Sequence, residues 1–174
     1  DVASPAFRQY GKTVTLTQPI VVATGKKFDG GLSDGKWTRY VAAPILGDGS
    51  QKEGQRALFI LKPGATLTRV IIDQPSADGI HLEGASGKTT RVTQVQFRDV
   101  GEDAITVQRG HRQARYEITH CAFLKAADKI VQINAPGEVF VRDCYAQDFV
   151  RLVRTCGTCQ NTDYRVTIEN LDAR

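Results

Sequence analysis

Short apolar runs alternate with polar turns along this chain, and one pattern recurs after 25, 25 and 22 residues. Three copies place an aliphatic residue two positions after an acid, in Asp78-Gly79-Ile80, Asp103-Ala104-Ile105 and Asp128-Lys129-Ile130. A fourth copy, Val150-Arg151-Leu152, keeps the aliphatic residue and lacks the acid. Further strand-like runs occupy residues 67–72, 92–97, 118–123, 139–141 and 165–168. A period in the low twenties, with two or three short strands per repeat, predicts a solenoid without helices.

We predict an all-β fold, a right-handed parallel β-helix, as a single domain over residues 1–174. One aliphatic residue from each repeat would stack inside it, and these are Ile80, Ile105, Ile130 and Leu152. Leucine-rich repeats have a similar period, but their Leu-x-x-Leu-x-Leu pattern is absent from this sequence. A β-sandwich is the alternative for the same strand-rich pattern.

The composition supports one β-rich domain and narrows the classes of function. The chain has 174 residues with 16 glycines and no methionine, and Val, Ile and Thr recur in short runs. Its net charge of +4 suits either an acidic polymer as partner or an ordinary solvated surface. No apolar run approaches the ~18 residues that span a bilayer, so we expect no membrane association. Residues 1–5 lack a signal-peptide pattern, so we expect any targeting segment to be removed or absent.

Four cysteines allow more than one interpretation. Cys156 and Cys159 form a C-x-x-C pair, without the second pair or the histidines that would complete a zinc site. Cys121 and Cys144 lie about one repeat apart, so they could stack or form a disulfide. An even count favours a secreted, oxidised protein, and buried free thiols are the alternative.

Stacking of the repeats brings carboxylates together. Equivalent positions of successive coils lie about 4.8 Å apart, which makes Asp78 and Asp103 neighbours with Glu102 beside them. Crowded carboxylates repel each other and lose solvation, so a cluster that stays ionised requires a cation. Because such oxygen ligands suit calcium or magnesium, we predict a metal site at these three residues.

A basic patch is predicted on the next coils. Lys129 and Arg151 follow the acidic positions, and Arg154 lies further along the strand of Arg151. An acidic patch beside a basic patch can hold a cation together with an anionic ligand. A ladder of ion pairs on a solvated face is the alternative explanation.

A set of motifs also follows in order from about residue 17 to 172, over nearly the whole chain. They include Phe28-Asp29-Gly30-Gly31, Lys62-Pro63-Gly64-Ala65-Thr66-Leu67, Ala77-Asp78-Gly79-Ile80-His81, Gly101-Glu102-Asp103-Ala104, Ala127-Asp128-Lys129 and Arg154-Thr155-Cys156-Gly157-Thr158-Cys159. In order and spacing the motifs resemble the pectate lyases of polysaccharide lyase family 3. Each motif is weak alone, but the ordered set is specific.

The resemblance implies a secreted enzyme that cleaves polygalacturonate by calcium-dependent β-elimination. Calcium shared between the three predicted carboxylates and the uronate would acidify the C5 proton of the sugar. Lys129 is the first candidate for the base, with a pKa lowered by neighbouring cations, and Arg151 and Arg154 would bind uronates. An arginine is the alternative base, since related lyases use one.

Four positions depart from the family pattern. Gln108 and Arg151 stand where lysines are common, Ile133 stands where a histidine is frequent, and Leu82 replaces a frequent cysteine. The changes at Gln108 and Arg151 lie close to the expected base, so they argue for weak or absent turnover.

Two classes of function therefore stay open. The first is a pectate lyase, and the second is a non-catalytic pectate-binding domain, like the lyase-like domain of harpins from plant-pathogenic bacteria. Nucleic-acid binding is disfavoured because aromatic residues are few and no motif fits. We expect a monomer whose partners are calcium and an acidic polysaccharide.

Overall fold

A computed structural model describes residues 8–52, 54–160 and 163–174, and these residues form a β-solenoid of about six turns without a helix. The strands, in chain order, are β1 (Tyr10–Leu16), β2 (Ile20–Val22), β3 (Lys27–Asp29), β4 (Trp37–Ala42), β5 (Ala57–Leu61), β6 (Thr66–Ile72), β7 (Asp78–Glu83), β8 (Thr89–Phe97), β9 (Ile105–Arg109), β10 (Arg115–Thr119), β11 (Ala122–Phe123), β12 (Ala126–Ile133), β13 (Gly137–Ala146), β14 (Phe149–Thr155) and β15 (Tyr164–Ala173). Two sheets alternate along the chain, so each coil adds one parallel strand to each sheet.

The strand order establishes the predicted architecture. The six-stranded sheet has the order β14-β12-β9-β7-β5-β2, and every neighbouring pair in it is parallel. The second sheet has nine strands, with β4, β6, β8, β10 and β13 in consecutive positions. Coils that stack strand on strand in this way confirm the parallel β-helix and exclude the β-sandwich.

Apolar side chains fill the space between the sheets, as the alternating pattern predicts. Phe59, Ile80 and Ile105 pair on successive strands and are fully buried. Ile105 then pairs with Val131, not with the predicted Ile130. These two strands pair residues 26 positions apart, one more than the repeat of 25 predicts, so the predicted column is wrong by one residue here, and Val131 in turn pairs with Val153 instead of Leu152. Since the side chains of Ile130 and Val131 are both buried, apolarity alone could not distinguish them.

The second sheet bends at a fixed place in each coil. Arg69, Gln94, His120, Asp143 and Asn170 all adopt φ values between 48° and 55°, although none is glycine. The residues just before them pair strand to strand, from Thr68 through Thr93 and Thr119 to the last coil. These five residues therefore form a column of left-handed corners, one in each of five successive coils.

Candidate functional site

A groove of about 650 Å³ lies on the outer face of the six-stranded sheet. Parallel strands alternate their side chains between the two faces, so residues next to the buried column point into this groove. Its charged and polar lining consists of Gln55, Arg56, Asp78, His81, Glu102, Asp103, Thr106, Gln108, Lys129, Gln132, Asn134 and Arg154.

The two acids stack as predicted, whereas Lys129, expected one place after the acid column, lies in register with Asp103, since Ile105 pairs with Val131. Ile80 pairs with Ile105, which places Asp78 opposite Asp103 on the next coil. The backbone N–H of Gly79 donates to the carbonyl of Asp103 at 2.9 Å, and a Cβ at Gly79 would lie only 2.3 Å from the carbonyl oxygen of Ala104. Glycine at position 79 thus permits the close approach of the coils that carry the two acids.

The three predicted carboxylates all line the groove and are shielded from water. Asp78, Glu102 and Asp103 are each at most 7% exposed. Burial is the largest influence on Asp103 and raises its pKa to about 6. The ion pair with Lys129 lowers this pKa, whereas the negative charges of Asp78 and Asp128 raise it further. Asp78 Oδ2 lies 2.9 Å from His81 Nε2, whereas Asp78 Oδ1 is buried without a hydrogen-bond donor from any described residue.

This donor set suits a hard cation in its chemistry. Calcium prefers carboxylate oxygens, and the unpaired buried Oδ1 of Asp78 is an acceptor that an ion would satisfy. In residues 8–52, 54–160 and 163–174, no three His, Cys, Asp or Glu side chains converge as a ready metal site. Substrate or small side-chain movements must therefore complete any ion site at Asp78, Glu102 and Asp103.

Lys129 lies on the coil after Asp103 and is only 5% exposed. Its Nζ lies 3.1 Å from Asp103 Oδ1 and also contacts Asp128 Oδ2. Burial, the largest single influence, lowers the pKa of Lys129, but Asp128 and Asp103 together raise it above its ordinary value. The expected lowering is wrong for the ion-free protein, because carboxylates surround the ammonium where cations were anticipated.

The two arginines are placed differently. Lys129 pairs with Arg151 on the next strand, and Arg151 Nη1 binds Asp128 Oδ1 at 2.7 Å. Arg151 is not among the groove-lining residues, whereas Arg154 lines the groove opposite Gln132. The structure thus gathers five of the six predicted site residues around one groove and links Arg151 to them through Asp128.

The departures from the family pattern divide into two groups. Gln108 lines the groove and is exposed, so its side chain faces the same space as the acids. Leu82 and Ile133 belong to the buried core, where an apolar side chain packs without a polar partner. Of these three positions, only Gln108 can alter a bound ligand directly.

Sequence reasoning missed several groove residues. His81, Thr106 and Gln132 pair strand to strand and form a polar row that ends at the predicted Arg154. The sequence carries a signal for these three residues, because each follows a buried member of the inner column by one position. Asp128 was aligned as a repeat position, but its contacts with Lys129 and Arg151 could not be inferred from spacing.

The cysteines separate into a bonded pair and a free pair. Cys156 and Cys159 form a disulfide, and Cys156, Gly157 and Thr158 line the end of the groove near Arg154. Cys121 and Cys144 are buried free thiols, so they stack without forming a bond. Residues 1–5, where the sequence lacks a signal-peptide pattern, lie outside the described residues. No helix in the described part is long and apolar enough to cross a membrane.

Comparison with known proteins identifies a family for this chain. The family model described as pectate lyase matches residues 4–174. "Probable pectate lyase F" from Aspergillus terreus is 36% identical over 158 residues, which covers 89% of this chain and 63% of that protein. Its namesake from Aspergillus fumigatus is also 36% identical with the same coverage, and "Pectate lyase E" from Emericella nidulans is 32% identical over 85% of this chain and 54% of its own length.

The chain therefore spans somewhat less than two thirds of the length of these relatives. The family match extends over almost every coil, including those that carry the groove. This chain belongs to the pectate lyase family.

Proposed function

We propose that the protein cleaves polygalacturonate by calcium-dependent β-elimination in the groove described above. The observation that carries the proposal is the buried pair Asp78 and Asp103, with the Lys129 ammonium 3.1 Å from the second carboxylate. Two acids beside a cationic side chain can hold a metal ion and a uronate next to each other. Membership of the pectate lyase family, with relatives named for that activity, points to the same substrate.

Asp78 and Asp103, with Glu102 beside them, are the residues that would hold calcium. When bound, calcium would neutralise the negative charge of the substrate carboxylate, which would make the adjacent C5 proton more acidic. The side chains must keep their carboxylates ionised for this purpose. The nearby Lys129 ammonium stabilises the charged form of Asp103 while the ion is absent.

In this proposal Lys129 acts as the general base and Arg154 binds the substrate. Lys129, as the free amine, takes the proton from C5, and the C–H electron pair forms the C4–C5 double bond. The bond from C4 to the glycosidic oxygen breaks, and the leaving oxygen takes a proton from solvent. Arg154 lines the groove beside this position and binds a uronate carboxylate, for which its planar fork is suited.

A direct assay tests the proposal. Polygalacturonate and calcium are incubated with the protein, and the unsaturated product is followed by ultraviolet absorbance, with a chelator as the control. Lys129→Ala should reduce kcat by about 10²–10⁴-fold, the usual contribution of a general base. Lys125→Ala is the matched control, because Lys125 also pairs with an acid, Asp99, but lies outside the groove.

A non-catalytic pectate-binding domain is the second candidate. The observation that favours it is the binding of the Lys129 ammonium to both Asp103 and Asp128, which raises the pKa of Lys129 although burial opposes this. Retained binding to pectate without product over hours at alkaline pH would establish this candidate. Full activity of Lys129→Ala would instead move the base to Arg154.

We infer an extracellular location and action as a monomer. The Cys156–Cys159 disulfide suits an oxidising compartment, and a polymeric plant cell-wall substrate must be met outside the cell. Gel filtration of the protein secreted into culture medium tests both points, with a single monomeric peak as the expected result.

A further inference from the structure

The groove contains a second polar pair that the proposed function leaves unused. Gln55 and Arg56 come just before β5, and both line the groove. Ala57, the first residue of β5, pairs with Asp78. Arg56 therefore lies beside the coil that precedes the acid pair, on the side away from Lys129.

Arg56 is a cation without an ion-pair partner in the part of the chain that the structure describes. Three lysine and arginine side chains of that part line the groove, namely Arg56, Lys129 and Arg154. Lys129 binds two carboxylates, but Arg56 and Arg154 make no ion pair or hydrogen bond with another described residue. A guanidinium in this state can offer a planar pair of N–H donors to a carboxylate.

Gln55 supplies an acceptor at the same place. Its amide Nε2 donates to the carbonyl of Ser50, which fixes the side chain. Its Oε1 is buried and has no donor among the described residues, a state that costs about 1–3 kcal/mol unless a ligand satisfies it. Space is open beside it, because a Cβ at the neighbouring Gly54 would meet nothing within 4 Å.

The same two residue types recur on the far side of the acids. Gln132 pairs with Arg154 across β12 and β14. Gln132 Oε1 is also buried without a donor in the described chain, like Gln55 Oε1. A glutamine acceptor and an unpaired arginine thus stand on each side of Asp78 and Asp103.

We infer that Gln55 and Arg56 form a second uronate-binding subsite, with Arg56 holding a carboxylate and Gln55 accepting a hydrogen bond from a sugar hydroxyl. The strands that carry Arg56 and Arg154 are separated by four rungs, about 19 Å, so only an oligosaccharide contacts both. The polymer then lies along the groove, with one uronate bound to Arg56, another bound to Arg154, and the sugars between them next to Asp78 and Asp103. The inference rests on the proposed function for the identity of the polyanion.

The test is kinetic and depends on substrate length. Arg56→Gln is compared with wild type on hexagalacturonate and on trigalacturonate, which is too short to contact both arginines. The variant should raise KM for the hexamer about tenfold, the effect of losing ~1.4 kcal/mol of binding, with kcat nearly unchanged. The effect on the trimer should be clearly smaller, and Arg56→Lys should restore only part of the loss.

Arg112→Gln is the matched control, since it removes an exposed arginine outside the groove. Unchanged KM for the hexamer in Arg56→Gln would overturn the inference. An equal rise for trimer and hexamer would also overturn it, because Arg56 would then act on the acid pair and not through a separate subsite.

A second measurement separates this inference from the proposed function. Migration of each variant is measured by electrophoresis in gels that contain polygalacturonate. If wild type is retarded but forms no product, the lyase proposal fails, and weaker retardation of Arg56→Gln than of Arg112→Gln still supports the subsite. If wild type neither binds nor cleaves, both ideas are overturned.

Discussion

At the scale of single residues, Asp128 links two basic side chains of the site, Lys129 and Arg151. Its two carboxylate oxygens bind Lys129 and Arg151. Asp128→Asn should lower kcat on polygalacturonate about tenfold and change KM little, because a misplaced Lys129 loses reactivity more than binding. Asp99→Asn is the control, since Asp99 pairs with Lys125 outside the groove.

Asp128→Glu should recover part of the activity lost in Asp128→Asn, because it keeps the charge. Equal activity of wild type and Asp128→Asn would show that Lys129 does not need this partner. The spacing of the repeats aligns Asp128 with Asp103, but the structure places Lys129 in that register. The role of Asp128 comes from side-chain contacts that no repeat pattern encodes.

The raised pKa of Asp103 predicts a specific pH dependence of stability in the calcium-free protein. Its pKa is about 6 in the folded chain, mainly because of burial, against 3.8 in the unfolded chain. Between these values the folded state binds more protons, so the free energy of unfolding should fall as pH rises from about 4 to 6. The loss attributable to this group is on the order of 2 kcal/mol.

Urea denaturation at several pH values, with a chelator present, measures this trend. Asp103→Asn should flatten the curve in that window, and Asp34→Asn should not, because Asp34 has a lowered pKa, chiefly from the backbone N–H of Lys36, and titrates below the window. A free energy of unfolding that rises between pH 4 and 6 equally in wild type and Asp103→Asn would contradict the prediction.

At the scale of strands, the inner column of the six-stranded sheet supports the groove above it. Val131 is fully buried beneath the site, whereas Val150 on the adjacent strand is 63% exposed. Val131→Ala should lower the free energy of unfolding by about 2 kcal/mol, because it leaves a cavity. Val150→Ala, the identical change, should stay within about 0.5 kcal/mol of wild type.

Chemical denaturation compares the two valine variants. Equal destabilisation by both would mean that the coil relaxes around position 131. The same column shows how far the sequence predicts the fold. Period and alternation predict the coils and the juxtaposition of Asp78 with Asp103, but the extra residue that pairs Ile105 with Val131 depends on backbone geometry that apolar spacing cannot reveal.

The sequence also does not predict where residues outside the acid-bearing repeats lie in the groove. Arg56 precedes its strand and lies beside Asp78 only because Ala57 pairs with that acid. The pairing of the first coils is not visible in the acid-bearing repeats, since they begin at Asp78. The sequence therefore predicts the groove residues on the acid-bearing repeats, but not those on the preceding coil, which carries Arg56.

At the scale of the whole molecule, the buried acids predict that calcium stabilises the fold. An ion that binds only the folded state at about 100 times its Kd adds ~2.7 kcal/mol, which raises Tm measurably. Asp78→Asn should abolish most of this increase, because Asp78 Oδ1 is a buried acceptor without a donor among the described residues. Differential scanning calorimetry with calcium, and then with excess chelator, measures the shift.

Asp34→Asn again serves as the control, since Asp34 is exposed and distant in sequence from the acids of the groove. A calcium-induced rise in Tm that is the same in Asp78→Asn and wild type would place the ion elsewhere on the molecule.

The column of left-handed corners turns the chain at an equivalent place in successive coils, although the corners are unequally spaced along the sequence. Because Arg69, Gln94, His120, Asp143 and Asn170 occupy these equivalent places, we expect a coil inserted or deleted between two corners to preserve the path of all the others. Adding or removing one coil would change the length of the groove by one rung, about 4.8 Å. We therefore expect the preferred substrate length to change in discrete steps, because each coil that is added or removed changes the length of the groove by the same amount.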